Sequence, residues 1–101
     1  MTRKQEEHLH WYYVKAQITI FKTLMFVFQK TKDGERYYVN WSDDYTKQAH
    51  KETSRDIMMQ LKRIRAMERS AYLTLRCVYK EELLEVLDVY RACKTEVKEG
   101  C

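Results

Sequence analysis

Proline is absent from this chain of 101 residues, and glycine occurs only at Gly34 and Gly100. These two residue types supply most backbone breaks and positive-φ positions, so their scarcity predicts regular elements joined by short turns. It also removes a functional class. No interior stretch offers the glycine-rich loop on which a phosphate-cradling nucleotide site depends.

At this length one domain, residues 1–101, is expected. Hydrophobic residues make up 45% and charged residues 34%, the balance of a packed core with a charged exterior, not of a disordered chain. Cys77, Cys93 and Cys101 are odd in number and far apart, unlike a secreted disulfide framework. The opening residues are charged and lead into no apolar leader, and the run Ile18 to Phe28 is interrupted by Lys22. A cytoplasmic protein with free thiols is the expectation, with Cys77 and Cys93 as small core residues.

Periodicity then suggests the elements. Tyr12, Val14, Ala16, Ile18 and Ile20 alternate with Tyr13, Lys15, Gln17 and Thr19, the period of a half-buried strand. The same region also fits a helix through Val14, Ile18, Phe21, Met25 and Phe28. Strand is preferred because β-branched and aromatic residues dominate. Asp33-Gly34 reads as a hairpin turn between Met25–Lys32 and Glu35–Trp41, pairing Phe28 with Val39 and Phe26 with Trp41.

Ser42-Asp43-Asp44 is an N-cap cluster that predicts a long helix from about Tyr45 to Arg69. Ala71, Leu73, Leu75, Cys77 and Tyr79 alternate with polar neighbours and suggest a fourth strand. A last helix opens with Glu81-Glu82, closes with Lys94 and Lys98, and carries a stripe of Leu83, Val86, Leu87, Tyr90, Cys93 and Val97. The order β-β-β-α-β-α implies an α+β two-layer sandwich, a four-stranded and mainly antiparallel sheet with two helices on one face.

Charge directs attention to the long helix. The net charge is +4, and at about 100° per residue Lys47, Lys51, Arg55, Lys62, Arg65 and Arg69 share a sector about 80° wide. Ala49, Thr53, Ile57, Leu61 and Ile64 form the adjoining apolar stripe. A line of cations suits a phosphate backbone or an acidic protein surface, and the competing reading is an ordinary solvated face. Trp11, Tyr13 and Phe21, near Tyr38 of the hairpin, would stand on the outer sheet face, where aromatics stack unpaired bases or cover a second protomer.

Catalytic and metal sites find little support. Asp43-Asp44 and Glu81-Glu82 sit where helices begin, so capping accounts for them. His8, His10 and His50 lack further ligands at workable spacing, and no nucleophile motif is present. The expectation is a non-enzymatic binding protein without metal or cofactor, engaging nucleic acid or a nucleoprotein complex through the basic helix face. Short, basic, aromatic chains free of proline are often phage-encoded, and an inhibitor of a host nuclease or defence complex fits. The alternative is a homodimeric protein-interaction module using the aromatic sheet face.

Overall fold

The computed structural model describes the backbone of residues 2–32 and 43–100 and the side chains of residues 2–31 and 48–92. Every element among the described residues is helical: α1 Arg3–Lys32, α2 Asp43–Met67, α3 Arg69–Val78 and α4 Lys80–Gly100. The α+β sandwich is therefore wrong, and the protein is a helical assembly 52 Å along its longest axis. The Asp33-Gly34 turn and the segment Glu35–Trp41 lie outside the described residues. Tyr12 to Ile20, Met25 to Lys32 and Ala71 to Val78, expected as strands, are helix.

Exposure shows why the alternation in α1 misleads. A strand would bury Tyr12, Val14 and Ile20 together, yet Tyr12 is 64% exposed, Ile20 44% and Val14 only 1%. The residues that are buried follow a spacing of four and three, through Val14, Phe21, Met25 and Phe28, with Ile18 packed beside them. That pattern outlasts the alternation by two further turns and gathers large side chains into one seam. Burying Phe21 or Phe28 fully is worth about 1.5–3 kcal/mol each. The β-branched threonines are accommodated: the hydroxyls of Thr19 and Thr23 donate to carbonyls four residues back.

α2 supplies the other half of the seam through Ile57, Leu61 and Ile64, which are buried as its periodicity predicts. The pair is antiparallel, and three contacts set its register. His10 faces Glu68 at 3.8 Å, Gln60 donates to the Gln17 carbonyl at 3.2 Å, and Thr31 bonds His50 at 2.7 Å. His50 also stacks on Phe28 with centroids 4.0 Å apart. Buried polar groups in the seam are satisfied: Thr53 donates to the Ala49 carbonyl, and Ser54 to that of Lys51.

α3 and α4 pack against α2, adding Leu75 and Val86 to the core. In α3 and at its C-cap the partly or fully buried residues Ala71, Tyr72, Leu75 and Tyr79 follow helical spacing. Leu73, at 47%, and Cys77 are exposed, so Cys77 is a surface thiol and not the core residue expected. The side chains of Cys93 and Cys101 lie outside the described residues.

Two single-residue breaks separate the last three helices without any glycine or proline. Glu68 takes an extended conformation, φ −153° and ψ 104°, and caps α3 by accepting from the Ser70 N–H. At Tyr79 the helical hydrogen bonds continue on both sides, and its ring meets Phe21 edge-on at 5.5 Å. α4 has Glu81 and Glu82 in its first turn, favourably placed at the positive end of its dipole.

Candidate functional site

Because α2 is a helix, the helical arithmetic behind the basic stripe holds along it. Arg55, Lys62 and Arg65 are exposed and Lys51 is half-buried. The side chain of Lys47 lies outside the described residues. From Lys51 to Arg65 the line runs about 21 Å at 1.5 Å per residue. Among the described residues no carboxylate comes within ion-pair distance of Arg55, Lys62 or Arg69. Arg69 is also exposed, but it opens α3 beyond the Glu68 break, so it is not part of the straight α2 line.

The corner between α2 and α3 adds what the sequence reading missed. The Arg65 guanidinium lies 5.4 Å from the Tyr72 ring centroid and that of Arg76 lies 5.6 Å from it. Each stack contributes about 0.5–1 kcal/mol at an exposed site, and together they hold two guanidinium groups at one place. Arg76 thus belongs with the stripe. Its signal was the four-residue spacing from Tyr72, which has no meaning once the segment is read as a strand.

Glu68 fixes the corner. The Ser70 hydroxyl, at 2.7 Å, and the Ser70 N–H, at 3.2 Å, both donate to its carboxylate. Those bonds hold its carboxyl below the usual carboxylate range, and His10 adds a smaller electrostatic pull.

The aromatic surface is not a sheet face, and Phe21, expected on it, is fully buried in the α1–α2 core instead. Trp11 and Tyr13, 49% and 55% exposed, stand on α1 about 200° apart. Trp11 borders a groove against α3 lined by Ile18, Ala71 and Val78. Tyr13 points elsewhere, so the structure does not bring it together with Trp11, and Tyr38 lies outside the described residues. His8 and His10 likewise diverge around α1, and among the described residues no three His, Cys, Asp or Glu side chains converge as metal ligands. Among the same residues no helix is long and apolar enough to cross a membrane.

No protein-family model matches the chain, and neither the curated proteins nor the solved structures yield a match.

Proposed function

We propose that this is a non-enzymatic binding protein whose α2–α3 corner engages nucleic acid, free or within a nucleoprotein complex, in a cytoplasmic setting. The observation that carries the reading is the run of exposed cations Arg55, Lys62 and Arg65, joined by Arg76 through the shared Tyr72 stack. A line about 21 Å long spans roughly six base pairs of duplex at 3.4 Å each. Guanidinium groups suit it, since their planar donor forks match phosphate oxygens. Phosphate contacts of this type position a protein without reading sequence, so the mode of action is occlusion of the covered strand or surface.

Counterion release supplies the test. With four phosphate contacts, log K for a short duplex should fall with log salt at a slope of about −3.6. The double variant Arg55→Glu, Lys62→Glu should lose most of that affinity and flatten the slope. A control, Lys4→Glu with Lys15→Glu, changes net charge equally on exposed positions of α1. Melting should differ little among all three proteins, because exposed charges usually alter stability by at most about 0.5 kcal/mol. Equal weakening by both variants would reduce the interaction to overall charge and refute the site. No measurable duplex or single-strand binding at low salt would refute the function.

A further inference from the structure

α1 carries two seams, and among the described residues only one of them is filled. The first, through Val14, Phe21, Met25 and Phe28, is buried against α2. The second runs through Leu9, Tyr13, Ala16, Ile20, Thr23 and Val27. Its steps are four, three, four, three and four residues, the repeat of a coiled-coil seam. At about 100° per residue it lies some 140° around α1 from the α2-facing side. α3 approaches on a different side, where Trp11, Ile18 and Lys22 border it. Leu9 is 38% exposed, Tyr13 55%, Ile20 44% and Val27 38%.

No Lys, Arg, Asp or Glu lies on the seam between residues 9 and 27; the charge at its edge is the Lys30 ammonium, 5.0 Å from the Phe26 ring centroid. The positions flanking the seam are His10, Tyr12, Gln17, Thr19, Leu24 and Phe26, so neither seam nor flank holds a Lys, Arg, Asp or Glu between residues 9 and 27, and the one flanking imidazole, His10, faces Glu68. In a chain with 34% charged residues that is a concentrated omission. Flanking charges are what direct a coiled-coil helix to a different partner, and here no acidic or basic residue lies along the flanks from residue 12 to residue 26.

We infer that the seam is the interface for a second copy of this chain, packed antiparallel α1 to α1. Antiparallel seams set each residue of one heptad class against the other class of the partner helix. Centred between Gln17 and Thr19, that rule places Tyr13 against Thr23, Ile20 against Ala16 and Val27 against Leu9 of the second copy. Each of the first two layers matches a large side chain with a small one, so the surface is complementary to itself. A two-fold axis at the centre satisfies every layer twice, which a closed dimer requires. Contact along this length covers on the order of 500 Å² per copy, near the lower bound for a specific interface. An interface of that size belongs with weak, transient association. It leaves the α2–α3 corner uncovered, and it does not depend on what that corner binds.

Sedimentation equilibrium of the full chain, from low to high micromolar concentration, reads the association directly. The wild type should pass from monomer to dimer across that range. Ile20→Glu should weaken association at least about tenfold, the effect of some 1.4 kcal/mol, with an unchanged helical spectrum. Thr23→Arg places a charge on the same seam without removing an apolar group, and should do likewise if Ile20→Glu proves unfolded. Leu84→Glu, on an exposed α4 position, should leave the dimer intact. Orientation is read by rescue. Ile20→Lys should dissociate the dimer and its combination with Ala16→Glu restore it, because those positions share an antiparallel layer. A wild type that stays monomeric overturns the inference, as does a dimer indifferent to both seam variants. Failure of the rescue overturns the antiparallel register. A monomer that floats with neutral phosphatidylcholine vesicles would assign the seam to a lipid surface instead.

Discussion

Glu68 is the residue on which the shape of the basic corner depends. It ends α2, caps α3 and leans on His10 of α1, so a single carboxylate links three helices. Glu is an unusual choice for a cap, and the two donors from Ser70 make it serviceable. Its carboxyl titrates lower in the folded chain than in the unfolded one. The linked stabilisation is therefore fully present above the unfolded carboxyl pKa and is lost as pH falls through the lower folded value. Glu68→Ala should melt below the wild type at neutral pH, and the gap should narrow on acidification through that range. A gap constant with pH would show that the ionised carboxylate plays no part. Arg65 and Arg76 depend on the same corner, because their stacks on Tyr72 come from helices on either side of it.

At the level of elements, the question is what makes α1 a helix. Tyr12 and Val14 separate the two patterns cleanly, since a strand buries both and the helix buries only Val14. Val14→Ala should cost about 2 kcal/mol through lost burial and a residual cavity. Tyr12→Ala should cost no more than about 0.5 kcal/mol. Thermal or urea unfolding of both variants checks this, and a larger loss from Tyr12→Ala would contradict the seam. α2 and α4 were legible in the sequence because their starts carry acidic or capping residues and their apolar stripes run for three turns or more. α1 was legible only as the less favoured of two patterns. Its nine-residue alternation is local, while the four-and-three spacing shows its advantage only over the full span to Phe28. α3 is ten residues long, too short for periodicity to separate helix from strand. The breaks at Glu68 and Tyr79 lie within a residue or two of the boundaries expected after Arg69 and before Glu81, although neither glycine nor proline marks them. Arg69 fell on the α2 line because the expected end of that helix was set two residues late, and Arg76 was missed because its segment was read as a strand.

Viewed whole, the protein is an antiparallel α1–α2 hairpin with α3 and α4 packed against α2. Its basic corner and its uncharged α1 seam lie on different surfaces. The most direct measurement of the central claim is a titration of the isotopically labelled protein with a short duplex at low salt, followed by backbone amide chemical shifts. Perturbations should gather at exposed positions between Lys51 and Arg76, with the strongest around Arg65, Tyr72 and Arg76, and should disappear in the Arg55→Glu, Lys62→Glu variant. Shifts concentrated instead along Leu9 to Val27 of α1, or none at all at saturating duplex, would contradict it.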